Sequence, residues 1–111
     1  MNIRIQTMKL DLVNSLCIYK EPSKIWEINK DKLLKFTYFN NLIKFNKKNN
    51  IFLINEISDK EMELFLNYIN HGSEFIMELE TNDIMLLIKI SDFLIIPELL
   101  KLAKIEFFNR L

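Results

Sequence analysis

Side chains able to do acid–base, nucleophilic or metal chemistry are few in this sequence. Its 111 residues include one histidine, His71, one cysteine, Cys17, and one glycine, Gly72. With a single glycine, no phosphate-cradling loop of the Walker or dinucleotide type can be written. His71 and Cys17 stand far apart, and neither has a nucleophile–base partner or a metal-ligand cluster at workable spacing. His71 is expected at a helix end, where its charged form suits the carboxyl-terminal dipole, and Cys17 in the core of a strand. Glu56, Asp59, Glu61 and Glu63 surround an expected helix start and complement its dipole. Glu74, Glu78 and Glu80 read as solvated loop, since no histidine accompanies them. The expectation is a chain without catalysis, cofactor or metal.

Composition narrows the classes further. Half the residues are apolar and 27% are charged, as in globular proteins. One domain spanning 1–111 is expected, since a chain this long buries roughly 65% of its unfolded surface. Net charge is zero, which gives no overall case for nucleic acid or an acidic membrane. The zero conceals a division: residues 1–55 hold ten Lys or Arg against four Asp or Glu, and residues 56–111 hold five against eleven. Such a split suits either two poles that meet in an assembly or halves that interleave in space. Lys44, Lys47 and Lys48 form a small basic run that reads as loop, and no aromatic platform for stacking bases accompanies it. A lone cysteine rules out an internal disulfide and points to a reducing compartment, cytoplasmic or nuclear. No signal peptide is visible at "MNIRIQTMKLDLV". The apolar run "IMLLI" is far below the roughly 20 residues of a membrane span.

The elements that position these residues follow from pattern. "LVNSLCIY" (Leu12 to Tyr19) reads as a strand, "KEPSK" (Lys20 to Lys24) as a turn and "IWEI" (Ile25 to Ile28) as the returning strand, with Trp26 half-buried. "NKDKLLKFTYFNNLIKF" is expected to be helical and split near Thr37, with Leu33, Leu34, Phe39 and Leu42 inward. "KKNN" (Lys47 to Asn50) reads as a loop, and "IFLI" (Ile51 to Ile54) as a short buried strand. "SDKE" is a capping box for a helix with Met62, Phe65, Leu66 and Ile69 on one face, closed by Gly72. "EFIMELE" suits a short strand or loop. Thr81 or Asn82 is expected to cap a helix that is apolar nearly all round and therefore central. Asp92 within it needs a hydrogen-bond partner if interior, such as the start of the final helix. Pro97 opens that last helix.

On a wheel at about 100° per residue, Leu99, Leu100, Ala103, Phe107 and Leu111 share one face of the last helix, the expected core stripe. Leu102, Ile105 and Phe108 fall elsewhere, among Glu98, Lys101 and Lys104. Three large apolar residues with a charged rim suggest a contact surface. Packing beneath the amino-terminal segment of the same chain is the alternative.

This order of elements resembles the BTB/POZ fold, shared by elongin C and the S-phase-kinase-associated adaptor of cullin ligases. "LLKFTYFNNLI" (Leu33 to Ile43) is similar to a family segment, with Thr37, Tyr38 and Phe39 on its signature positions. "FLNYINHG" (Phe65 to Gly72) resembles a second. "LLIKISDFLIIPELLKLA" (Leu86 to Ala103) resembles a third, with Asp92, Phe93, Leu94 and Ile96 filling its core pattern and Leu99 or Leu100 its later leucine. The family's usual small pair before the aspartate is here Ile90-Ser91, and its His-Lys after the second strand is Asn29-Lys30. About ten residues precede the first expected strand, too few for the helix that many family dimers exchange, and the brevity is most like elongin C.

The resemblance implies an α+β, BTB/POZ-like fold, with a small sheet packed on a cluster of about five helices. It implies a non-catalytic adaptor linking a cullin-type scaffold to another protein in a ubiquitin ligase. Carried over by position, Tyr68, Asn70, His71, Phe93 and Ile95 would face the scaffold. Leu102, Ile105 and Phe108 would face a helix-bearing substrate receptor. Two alternatives stand beside it. One is a homo-oligomerisation module of the channel or transcription-factor type; the other is a pathogen mimic of a host adaptor, in keeping with the AT-rich coding bias of a chain rich in Lys, Ile and Asn.

Overall fold

The computed structural model describes residues 2–13, 17–46, 48, 51–54 and 56–111, and for residues 8–13 and 17–23 the backbone alone. The chain begins with strand β1, Asn2–Val13. Ile3, Ile5 and Thr7 are buried and alternate with the outward Asn2, Arg4 and Gln6, the period-two pattern of a strand with one face covered. β2, Cys17–Asn29, returns antiparallel from Val13↔Cys17 to Asn2↔Asn29. The register shifts once: Gln6 pairs with Ile25 but Met8 with Pro22, so β2 carries an extra residue there.

That bulge corrects the turn expected at Lys20–Lys24, which lies inside β2. The sheet order is β2-β1-β3, so β2 is an edge strand. A proline at an edge and beside a bulge breaks no ladder bond, and Pro22 therefore need not turn the chain. The strand expected over Leu12–Tyr19 is instead the end of β1 and the start of β2, with residues 14–16 outside the described set. The core placement expected for the Cys17 side chain also falls outside it. Of the expected loop at 47–50, only Lys48 is described, and it is exposed.

β3, Ile51–Ile54, joins β1 in parallel, from Arg4↔Ile51 to Thr7↔Ile54. Its burial alternates: Phe52 and Ile54 enter the core, while Ile51 and Leu53 are 51% and 56% exposed on the outer face. The run is apolar on both sides, yet the chain covers only one.

Between the strands run α1, Lys30–Leu33, and α2, Thr37–Phe45, split as expected. Asn29 caps the first, its Oδ1 accepting the Asp31 N–H at 2.9 Å. Leu33 and Phe39 are buried, with Leu34 and Leu42 packed at the core's edge. Helix α3, Asp59–His71, starts at the capping box: Ser58 Oγ accepts the Glu61 N–H, and Glu61 Oε1 accepts the Ser58 N–H. Met62, Leu64 and Phe65 are buried, with Leu66 and Ile69 half-buried, a wider stripe than the four positions expected. Gly72 ends the helix at φ 75°, donating its N–H to the Tyr68 carbonyl at 2.9 Å.

The segment Glu74–Glu78 is a 3-10 helix rather than a strand or loop. In α4, Thr81–Phe93, the cap position falls to Glu80, which makes no side-chain cap bond, and not to Thr81 or Asn82. Ile84, Leu87, Ile90 and Ser91 are buried, but Met85, Lys89 and Asp92 form an exposed i, i+4, i+7 stripe. Asp92 is therefore at the surface and needs no interior partner. Ser91 is the buried polar residue here, its Oγ donating to the Leu87 carbonyl. Helix α5, Pro97–Asn109, packs on α4 with Pro97 in its first turn and Leu99 and Ala103 fully buried.

Phe65 joins the layers, 5.2 Å from the Phe36 ring and 5.4 Å from that of Phe39. A polar knot ties sheet to helix: fully buried Thr7 accepts from Trp26 Nε1 at 3.1 Å and donates to the Asp59 carboxylate at the start of α3. Trp26 is 8% exposed, deeper than half-buried, with Lys24 Nζ 4.0 Å above its ring. Thr7→Val keeps the shape but leaves the indole N–H without its acceptor, at an expected cost of about 1–3 kcal/mol. A urea titration checks this; an unchanged midpoint would show the knot to be energetically idle.

Candidate functional site

Helix α5 buries the face centred on Leu99 and Ala103, which turns Pro97, Lys101, Lys104 and Phe108 outward. A groove of about 380 Å³ runs along that side, lined by Pro97, Leu100, Lys101, Lys104, Ile105 and Phe108. Ile105 is 47% and Phe108 65% exposed. Leu102, grouped with them by the wheel, is half-buried against the core. Leu111, assigned to the core stripe, is 84% exposed. The buried arc is set by where α4 lies, and that arc is rotated from the one expected.

The other five candidates are not gathered in one place, and only Tyr68 and Ile95 line a hollow. Tyr68 sits with Lys32, Lys35, Phe36, Ile69, Gly72, Ser73 and Glu98 around a cavity of about 360 Å³ between α1, α3 and α5. Asn70 and His71 are exposed at the end of α3. Phe93 is half-buried, its ring 5.0 Å from that of Tyr38. Ile95 lines a different hollow of about 250 Å³ with Tyr38, Asn41, Leu42, Phe45 and Asn46. Phe45, 80% exposed, was not singled out from the sequence. A wheel through Phe39 and Ile43 would have found it, since it falls on the opposite side.

No protein-family model, curated protein or solved structure matches this chain. The arrangement must therefore be interpreted from its own chemistry. Among the described residues no group of three His, Cys, Asp or Glu side chains is placed to hold a metal ion. No helix among them is long and apolar enough to cross a membrane. Ion pairs among the described residues include Arg4–Glu27 in the first half of the sequence, and Lys60–Asp83, Lys89–Glu61 and Arg110–Glu106 in the second.

Ile95 is strained. Its φ of 57° puts a β-branched side chain in the left-handed region, while the side chain itself is 53% exposed. Such a conformation costs of order 1–3 kcal/mol, held in place by its surroundings. Here the turn is fixed by the Ile96 N–H donating to the Ser91 carbonyl at 2.9 Å. Ile95→Gly is expected to raise stability by about 1 kcal/mol, part of the strain relief being offset by glycine's chain entropy. A thermal melt checks the sign.

Two phenols ionise late. Burial first, and then the Glu98 carboxylate, push Tyr68 above its ordinary 10.0; burial and then Glu56 do the same to Tyr38. The folded chain thus holds these protons after the unfolded chain has released them. Their contribution is fully present below about pH 10 and is lost as pH rises beyond it. Urea midpoints should fall from about pH 9 to about pH 11, and less steeply in Glu98→Gln.

Proposed function

We propose that the chain is a non-catalytic interaction adaptor of BTB/POZ-like build, linking a cullin-type scaffold to a helix-bearing protein in a ubiquitin ligase of the cytoplasm or nucleus. The observation that carries this reading is the α5 groove, where Ile105 and Phe108 stand exposed beside Pro97 and Leu100. Large apolar groups grouped in one hollow and rimmed by charge are the usual core-and-rim composition of an interface. The element order supports it too: a strand pair, two short helices, a parallel third strand, then three longer helices.

The scaffold face is assigned to Tyr68, Asn70 and His71 at the end of α3 and to Phe93 and Ile95 at the α4–α5 turn. Strain at Ile95 fits a residue retained for what it touches rather than for stability. Affinity purification of the tagged protein with mass spectrometry tests the whole reading. A stoichiometric cullin together with a second, helix-bearing protein supports it. Recovery of only untagged copies of the chain itself refutes it.

A second reading, self-assembly, is favoured by the outer sheet face, where Ile25, Ile51 and Leu53 are all more than half exposed. Mass that rises with protein concentration in solution would select it.

A further inference from the structure

We infer that the α5 groove takes an amphipathic helix whose apolar stripe is flanked by carboxylates, with Lys101 and Lys104 reading those acids. This rests on the adaptor reading and adds the charge of the partner.

Residues 56–111 hold five cations among eleven acids. Three of the five are paired: Lys60 with Asp83 at 3.6 Å, Lys89 with Glu61 at 3.6 Å and Arg110 with Glu106 at 3.0 Å. Among the described residues, Lys101 and Lys104 have no carboxylate within ion-pair reach, although acids outnumber bases twofold in their own half. Both are exposed, and both line the groove. Within residues 56–111, all of them described, the two cations in no ion pair thus coincide with the exposed apolar strip. Neither observation implies the other.

Lys101 and Lys104 are three residues apart on one helix, about 4.5 Å along its axis. Two acids a turn apart on a partner helix match that spacing. From Pro97 to Phe108 the groove runs about 16 Å, three turns of α5. A helix laid along it buries an i, i+3, i+4, i+7 stripe, which a single anchored side chain would not fill. Four apolar residues between and beside the lysines favour a protein helix over a phosphate backbone.

The test uses three helical peptides with one Leu/Ile stripe and flanking positions that are all Glu, all Gln or all Lys, titrated onto the isotope-labelled protein by NMR. The Glu peptide is expected to shift the amides of Leu100 to Phe108 and to bind about ten-fold tighter than the Gln peptide at low salt. That advantage should vanish at high salt, and Lys101→Glu with Lys104→Glu should transfer the preference to the Lys peptide. Equal binding of the Glu and Gln peptides overturns the charge inference while leaving an apolar groove. Silence with all three overturns the helix site altogether. Shifts of the same amides on concentrating the protein alone make a second copy the occupant and overturn the inference as well. The adaptor reading fails separately, when purification returns no scaffold.

Discussion

Phe65→Ala should cost about 3–5 kcal/mol, the range for truncating a fully buried phenylalanine. Phe65 is completely buried, and its ring is stacked on Phe39 and edge-on to Phe36. It lies on α3 and meets α2 through Phe39 and the segment before α2 through Phe36. The cavity left would therefore open where those pieces meet, and it could not close without moving α2. Phe65→Leu keeps most of the volume and should lose less than half as much. Urea unfolding of both variants distinguishes the two costs. Equal, small losses would mean that this aromatic cluster is not what holds α2 to α3.

Ile105→Asp with Phe108→Asp should leave folding intact and remove partner binding. Both side chains are already about half exposed or more, so replacing them takes little from the core. Each large apolar group buried in a partner contributes roughly 1.5–3 kcal/mol. Losing two, and desolvating carboxylates in their place, should weaken binding by more than about 100-fold. Unchanged melting with loss of the co-purifying helix-bearing protein is the expected pair of results. Retention of every interaction would remove this surface from consideration.

Where a signal was local, the sequence was legible. The Ser58–Glu61 box, the Gly72 stop and the break before Thr37 are decided within a few residues, and the structure has each. Ile105 and Phe108 were legible because any orientation that buries Leu99 and Ala103 turns them outward. The misreadings share a cause, which is dependence on distant neighbours. Pro22 is harmless only because β2 lies at the sheet edge. Asp92 escapes burial because one side of α4 is left open, and an apolar helix does not announce which side that is. Leu102 and Leu111 exchanged roles because the buried arc of α5 depends on where α4 lies. No property of the letters signals the left-handed backbone at Ile95.

The sheet's strand order also sets a sequence of assembly. β1 and β2 are joined through nearby residues, so their pairing closes a short loop, whereas Arg4 meets Ile51 across roughly 47 positions. By the logarithmic law for flexible chains, closing that span costs about 3 kcal/mol before any contact in β3 repays it. Four residues of parallel ladder cannot meet that cost alone. β3 is therefore expected to dock once α1 and α2 have shortened the path, and until then the β1 edge is open as well as the β2 edge, with Ile3 and Ile5 uncovered. Contact of the β1 edge with another chain competes with folding throughout that interval, which makes the third strand the kinetically vulnerable step in reaching the native state.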